Sequence, residues 1–187
     1  MINKNVTCQG NLINLRSFTL KDHKIIRNWD NQHDNINYFP NTNFLYEIKY
    51  PSWAENKITD KNSLYLTVIC SKSQKIIGLT MLENIDTING NACWGIYIAD
   101  NKYQKFNYCS EASFYIIDYA FEKLKLNKIY VNTLESNERG RKFHKKIGFK
   151  EEAVFNNQIY VDGYYTNLIW STIDKNDWNN PFNLNLT

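Results

Sequence analysis

The sequence predicts an α/β fold, in which helices cover the faces of a mixed, mostly antiparallel sheet of about seven strands. Three observations support this fold class. The chain has 187 residues, which favours a single domain. Strand pairs separated by short turns occur both early and late in the chain. Between them lies one strand–loop–helix–strand unit at 96–134. We place the domain at 11–178, with terminal extensions at 1–10 and 179–187.

Each predicted helix has a local start or stop signal. Thr19, with Asp22 three residues later, is typical of a capped helix start, and that helix is expected to end near Asp30. Pro51 suits the first turn of a second helix. Gly148 is expected to end the last helix, as glycine often does. The remaining two helices are expected to begin at Ser110 and Asn137.

The predicted strands are separated by turn formers. Asn89-Gly90 and Asp162-Gly163 are hairpin signals, and 33–50 is rich in turn residues. The expected strands lie at 12–18, 64–70, 75–82, 92–98, 128–134, 149–161 and 164–173.

Composition indicates a folded protein without a strong charge bias. Hydrophobic residues make up 43% of the chain and aromatic residues 15%, which excludes an intrinsically disordered class. The net charge of +3 is too small for a nucleic-acid signature. A basic run at 139–146 fits either a solvated helix face or a site for a phosphorylated small molecule. We therefore expect no nucleic-acid partner.

Cysteine spacing and hydropathy indicate the compartment. The four cysteines are dispersed and have no histidine spacing suited to zinc, so we expect reduced thiols and no metal. No stretch approaches the ~20 apolar residues that a membrane span requires. The N-terminus also lacks an apolar signal core. These features predict a cytoplasmic protein without a membrane partner.

The loop between the strand at 92–98 and the helix expected from Ser110 is the first candidate site. The first turn of a helix carries unpaired N–H groups and the positive end of the helix dipole, which together favour phosphate. Loops that hold phosphate are usually rich in glycine, and this loop has none. The alternative is a helix-opening turn that binds nothing.

Four segments together resemble the GNAT superfamily of acyl-coenzyme A dependent N-acetyltransferases. Within it, the chain is most similar to the subgroup of ribosomal-protein alanine, spermidine and amino-sugar acetyltransferases. The closing hairpin at 161–165 also matches this subgroup. The matching segments are Lys75-Ile76-Ile77-Gly78, Trp94-Gly95-Ile96-Tyr97-Ile98, 111–129, and the run from Asn137-Glu138-Arg139-Gly140 to Lys146-Ile147-Gly148-Phe149-Lys150-Glu151-Glu152.

The resemblance implies acetyl-coenzyme A as the cofactor. In the family, backbone amides of the loop before the central helix hold the pyrophosphate. Here Gln104 is retained, while Asn107 and Cys109 replace small residues, and Asn107 is expected to supply a positive φ. The strand around Ile98 would hold the pantetheine arm. The cofactor-binding residues so implied are Ile96, Ile98, Gln104, Lys105, Phe106, Asn107, Tyr108, Cys109, Ser110, Asn137 and Arg139.

The resemblance also suggests catalytic candidates, with two departures from the family. His144 stands where many members carry a tyrosine that protonates the thiolate. An imidazolium could donate that proton, and the alternatives are Tyr108, water, or an exposed His144 without a role. Cys93 stands where many relatives carry a glutamate base. Glu83 is then the nearest carboxylate, and the alternatives are a solvent-exposed Glu83 or an amine that arrives neutral.

The acceptor is expected to be a small-molecule or peptide amine, with the protein acting as a monomer or homodimer. An aromatic slot with one carboxylate suits the amine of a peptide N-terminus, an amino sugar or a polyamine. The low acidic content near the site makes a polycation the least favoured of the three. Two other functions stay open: a GNAT-fold binding module without turnover, and a nucleic-acid binder based on the basic run. The expected substrate-binding residues are Trp29, Asp30, Tyr38, Tyr97 and Tyr164.

Overall fold

The computed structural model describes residues 4–29, 47–99, 101–161 and 163–180. The strands are β1 (Thr7–Gln9), β2 (Ile13–Ser17), β3 (Leu64–Cys70), β4 (Ile76–Asp86), β5 (Asn91–Ile98), β6 (Lys128–Leu134), β7 (Lys150–Val161) and β8 (Tyr164–Asp174). The helices are α1 (Leu20–Ile26), α2 (Pro51–Thr59), α3 (Phe106–Glu122) and α4 (Glu138–Lys146), and 3₁₀ turns occupy Asn101–Tyr103 and Lys175–Asp177.

The sheet confirms the predicted fold class. Its order is β1-β2-β3-β4-β5-β6-β8-β7, and every neighbouring pair is antiparallel except β5 with β6. The sheet has eight strands in the described residues, one more than expected. The additional strand is β1, which lies in the segment assigned to the N-terminal extension and pairs with β2.

Helices cover both faces of the sheet, and each face has its own core. On one face α3 packs through Ala112, Ile116 and Ala120, all fully buried. On the other face Ile26 of α1 and Trp53 of α2 pack in a second, smaller core. Apolar character around most of α3 predicted a helix buried on more than one side, and its buried residues agree with this.

Several end signals act as the sequence predicts. Thr19 and Asp22 form a reciprocal capping box at the start of α1, which ends at Ile26, before the predicted end. The side chain of Asn137 caps α4 by accepting a hydrogen bond from the Gly140 N–H at 2.8 Å. Gly148 follows α4 with φ at 111°, a conformation that favours glycine.

The β5–β6 pair opens partway along its length. Only Asn91, Ala92 and Cys93 of β5 pair with β6, opposite Lys128, Ile129 and Tyr130. No ladder pair joins Trp94–Ile98 to Val131–Leu134, and both of these segments are fully described. Because the strands are parallel, their C-terminal ends diverge at the same edge of the sheet. We call the resulting opening the strand gap.

Candidate functional site

Backbone groups of β5 face the strand gap. The Ala99 N–H bonds to the Ile77 carbonyl of β4 at 3.0 Å, so Ala99 faces β4. Backbone groups of successive strand residues point to opposite sides, which turns those of Ile96 and Ile98 toward β6. The Ile98 carbonyl, accordingly, accepts from Gln104 Nε2 at 2.9 Å. The backbone groups of Ile96 and Ile98 are therefore turned toward the strand gap, and both residues remain predicted pantetheine contacts.

Helix α3 begins earlier than the sequence predicted. Its N-cap is Lys105, its first residue is Phe106, and the Cys109 N–H already bonds to the Lys105 carbonyl at 3.2 Å. The expected start at Ser110 is wrong: Ser110 is 2% exposed, and its hydroxyl donates to the Asn107 carbonyl. The amides of the first turn at 106–108, beside the open end of the strand gap, are those that can hold an anion.

The position of Asn107 explains why the segment does not need the glycine that the family carries there. The expected positive φ is wrong, since the described non-glycine residues with positive φ are Gln74, Asn84, Lys125 and Asn157. Asn107 is instead an exposed residue in the first turn of α3. A helical backbone has no need of glycine, so the substitution leaves the first-turn amides in place.

The first two turns of α3 also place Tyr108 and Cys109. The Tyr108 ring packs edge-on against Tyr103, with 5.4 Å between centroids. Cys109 is half-buried, and burial raises the pKa of its thiol to about 11. Cys109 is therefore a small neutral packing residue at neutral pH.

A hydrogen-bonded bridge crosses the mouth of the strand gap. Gln104 donates to Ile98 and accepts from Arg139 Nη1 at 3.0 Å through its Oε1 atom. Arg139 Nη2 also donates to the Gln104 carbonyl at 2.6 Å. The bridge thus joins the end of β5 to the first turn of α4. Three predicted cofactor residues meet here, with cationic Arg139 beside the anion-binding end of α3.

His144 is buried, contrary to the alternative of an exposed helix residue. It is 9% exposed, its ring lies edge-on to Trp94 at 5.6 Å, and its Nδ1 lies 3.1 Å from Thr133 Oγ1. Burial lowers the pKa of His144 to about 4. At pH 7 only about one molecule in a thousand would carry the imidazolium. The lowered pKa disfavours the imidazolium at neutral pH, and the role of His144 as proton donor stays a prediction.

Glu83 is not an isolated solvent-exposed carboxylate. Its Oε1 accepts from Tyr65 Oη at 2.5 Å and from Lys57 Nζ at 2.6 Å, and its side chain is 36% exposed. Its Cα partner across the sheet is Cys93, the position at which many relatives carry glutamate. Glu83 therefore places a carboxylate on β4, directly across from Cys93, where the pairing between β5 and β6 ends.

The surroundings of Glu83 hold neighbouring groups in their neutral forms. Burial and the Glu83 charge raise the pKa of Tyr65 far above its usual range, so the phenol acts as a donor. Burial, followed by the Glu83 charge, raises the pKa of Cys93 to about 12. Sequence reasoning missed Lys57 and Tyr65, because their contacts with Glu83 depend on how α2 lies over β3 and β4.

The predicted substrate residues are only partly brought together. The rings of Trp29 and Tyr97 are in contact at 5.7 Å, on the face that carries Glu83. Tyr97 is 3% exposed and belongs to the second core. Tyr164 is 57% exposed at the tip of the β7–β8 hairpin, beyond the last β6 residue. Asp30 and Tyr38 lie outside the described residues.

Much of the basic run on α4 is already paired. Arg139 bonds to Gln104, Arg141 forms a bidentate pair with Glu151, and Lys142 pairs with Glu138. These contacts favour the interpretation of a solvated helix face, from which Arg139 reaches Gln104 at the strand gap. Within the described ranges, no helix is long and apolar enough to cross a membrane.

Known proteins resemble this chain in sequence and in fold. A sequence profile of the acetyltransferase (GNAT) domain family matches residues 13–150. Bacillus subtilis YdaF, provisionally named a ribosomal N-acetyltransferase, is 29% identical over 132 residues, which cover 71% of this chain and 70% of YdaF. The spermidine N(1)-acetyltransferase of Escherichia coli K12 is 24% identical over 157 residues, which cover 84% and 83% of the two chains.

A solved structure has the same fold. Spermidine N-acetyltransferase from Vibrio cholerae, in complex with CoA and spermine, matches with a TM-score of 0.80 at 21% identity. The match covers 90% of this chain and 98% of that one. This chain therefore shares its fold with a protein whose structure was solved in complex with CoA.

Proposed function

We propose that the acceptor of this chain is the primary amine of a peptide N-terminus or an amino sugar. The chain belongs to the acetyltransferase (GNAT) domain family and is an acetyl-CoA-dependent N-acetyltransferase. The observation that carries this proposal is the environment of Glu83. Its carboxylate already forms an ion pair with Lys57, at 2.6 Å. Glu83 can therefore assist one amine, but it adds little net negative charge for a polycation.

Aromatic side chains support an acceptor with a neutral body. Tyr130 stacks on Trp170 with 4.2 Å between ring centroids, and both are partly exposed. Tyr130 pairs with Cys93, so this stack lies next to the closed end of the strand gap. A sugar ring or a peptide side chain can pack on such a surface. The spermidine acetyltransferases among the relatives make a polyamine the natural competitor in any test.

The residues of the strand gap fit acetyl-CoA. The first-turn amides of α3 and the guanidinium of Arg139 suit the pyrophosphate, and the β5 backbone at Ile96 and Ile98 suits the amides of the pantetheine arm. When bound, acetyl-CoA supplies the thioester whose carbonyl carbon is attacked. Lys105, Asn107, Tyr108 and Asn137 remain predicted cofactor contacts on the same rim, with the Asn137 Oδ1 atom already engaged as a helix cap.

The reaction is a direct transfer. The amine nitrogen attacks the acetyl carbon, the new C–N bond forms, and the C–S bond breaks with its electron pair passing to sulfur. The amine loses one proton, and Glu83 takes it, directly or through one water. Positioning of the amine beside the carbonyl supplies much of the rate.

The sulfur takes up a proton as the thiolate leaves. His144 contacts Thr133, and burial lowers its pKa, which disfavours donation by an imidazolium. His144 stays a predicted donor, with Tyr108 and water as the alternatives that the lowered pKa favours. A coenzyme A thiol has an ordinary thiol pKa of ~8.5, so protonation by water near neutral pH is thermodynamically reasonable.

The test is a transfer assay that compares acceptor classes. The purified chain is incubated with acetyl-CoA and, separately, with a peptide bearing a free α-amine, glucosamine and spermidine, while release of the coenzyme A thiol is followed. We expect kcat/KM to be highest for the peptide or the amino sugar. A higher value for spermidine than for both would refute the acceptor assignment and leave acetyl transfer intact.

The second candidate is a binding module without turnover. The buried, neutral His144 at the usual tyrosine position is the observation that favours it. Acetyl-CoA would then raise the melting temperature, while no amine in the panel would be acetylated. The cytoplasmic location and the monomeric or homodimeric state remain predictions from the sequence.

A further inference from the structure

Asn132 of β6 carries a polar atom that the fold does not satisfy. Its side-chain oxygen, Oδ1, is inaccessible to solvent and has no hydrogen-bond partner among the described residues. Burying an acceptor without a donor is costly, and such groups in native proteins call for an explanation. The residue as a whole is only half-buried, so another part of the side chain reaches the surface.

Asn132 lies just beyond the closed end of the strand gap. It comes two residues after Tyr130, the last β6 residue that pairs with β5. Its backbone N–H is directed at the Cys93 thiol and partly offsets the rise in the pKa of Cys93. Asn132 therefore faces the strand position that is paired with Glu83.

The side chain of Asn132 points away from α3 and α4. Side chains alternate along a strand, and the neighbouring Thr133 contacts His144 on the α4 side of the sheet. Asn132 thus shares the opposite face with Tyr130 and its partner Trp170, and with the side of β4 that carries Glu83.

The polar groups described on this face of the strand gap are poor donors for Asn132. Glu83 is an acceptor, and the hydroxyl of Tyr65 and the ammonium of Lys57 both donate to Glu83. Cys93 keeps its proton, and a thiol is a weak donor. An incoming primary amine brings the N–H groups that this cluster lacks.

We propose that Asn132 is a positioning residue for the acceptor amine. Its carboxamide oxygen accepts one N–H of the neutral amine, which leaves the nitrogen lone pair directed at the thioester and Glu83 placed to take the second proton. Because this oxygen is enclosed in the free protein, binding of the amine requires a half turn about the Cβ–Cγ bond, which exchanges the two ends of the amide and presents the oxygen to the gap. The inference rests on the proposed acetyl transfer and assigns it a specific residue.

The test compares Asn132→Leu with the wild type, using the acceptor that the wild type prefers. Leucine has a similar volume and no acceptor atom. We expect KM for the amine to rise about tenfold, the loss of one neutral hydrogen bond. The acetyl-CoA-induced rise in melting temperature should stay the same. The melting temperature of the free protein should not fall, because an unsatisfied polar atom has been removed.

Two further variants separate positioning from structure. Asn132→Asp keeps an acceptor oxygen and adds a charge, so it should retain the low KM and shift the pH profile of kcat/KM. Asn176→Leu changes an exposed asparagine in the 3₁₀ turn after β8 and should alter neither constant.

Three results would overturn the assignment while acetyl transfer stands. The first is an unchanged KM for the amine in Asn132→Leu. The second is a weakened acetyl-CoA shift, which would assign Asn132 to the cofactor arm. The third is a lower melting temperature of the free variant, which would make Asn132 a structural residue. Absence of transfer by the wild type would instead remove both this inference and the proposed function.

Discussion

The two faces of the sheet place their ionisable groups near the strand gap in opposite environments, one buried and one open to solvent. On the face of α3 and α4, His144 is enclosed by Trp94, Phe143 and Phe149, and burial keeps it neutral. On the other face, Glu83 retains solvent access and forms an ion pair with Lys57. Burial that keeps a histidine neutral favours a packing role, whereas a carboxylate with solvent access can take a proton from an incoming amine.

The largest expected effect is on the Glu83 side. Glu83→Gln should lower kcat by about 100-fold, because the amide cannot take a proton, while its oxygen can still accept from Tyr65 and Lys57. Steady-state kinetics with the preferred amine measures this loss. Glu152→Gln, which removes an exposed ion pair with Lys128, is the matched control and should leave kcat unchanged. Equal activity of Glu83→Gln and wild type would show that the amine needs no carboxylate.

Replacement of His144 should change the stability of the protein more than its activity. The folded-state pKa of about 4 lies below the ordinary value of 6.5. The unfolded chain therefore binds the proton first as the pH falls, and stability drops from about pH 6.5 down to about pH 4. Between pH 7 and pH 5 the wild type should lose about 2 kcal/mol more than His144→Phe.

Urea unfolding of both proteins at the two pH values measures this difference. Carboxylates that do not interact with His144 titrate equally in both proteins and cancel in the comparison. Glu151 does interact with His144, but its pKa is lowered chiefly by the hydrogen bond from Arg141. Turnover of His144→Phe should fall by no more than about threefold. A far larger drop, or the same pH dependence in both proteins, would return His144 to the list of catalytic groups.

Asn137 caps the start of α4, the helix that carries His144. Asn137→Ala should cost about 1 kcal/mol of unfolding free energy, because the bond from the Gly140 N–H is lost. Asn137→Asp preserves the cap and should recover that energy. If the aspartate variant is stable but shows a smaller acetyl-CoA shift in melting temperature, Asn137 also contacts the cofactor.

The smallest effect is expected at Asn107. Asn107→Gly should lower stability by about 0.5 kcal/mol, since glycine weakens a helix, and should leave the acetyl-CoA shift in place. Thermal unfolding with and without saturating acetyl-CoA tests both statements. A markedly larger shift in the glycine variant would mean that the asparagine side chain obstructs the phosphate.

Patterns local in sequence predicted most of the fold. The hairpin at Gly90, the capping box at Thr19 and the helix stop at Gly148 depend on neighbouring residues, and all three are observed. Strand β1 was missed because three residues carry too little alternation to stand out. The family likeness, which rests on several segments in order, predicted the cofactor.

Other features of the site depend on tertiary contacts, which local sequence patterns do not display. Ser110-Glu111 reads as a helix start, but the Glu111 carboxylate instead accepts from the Asn11 and Leu12 N–H groups, a hundred residues away in the chain. His144 is flanked by lysines that suggest exposure, yet its own side of α4 faces Trp94. The partners of Glu83 and the isolated oxygen of Asn132 depend on how strands and α2 come together.

The short β5–β6 ladder has a consequence for how the sheet is finished. Past Cys93, β5 is paired to β4 on one side only, so its C-terminal half is an edge strand in the interior of the sheet. An edge strand presents a row of backbone groups that any extended chain of amides can join. Another molecule with an extended chain of amides can therefore pair with β5 past Cys93 and act as one further strand of the sheet.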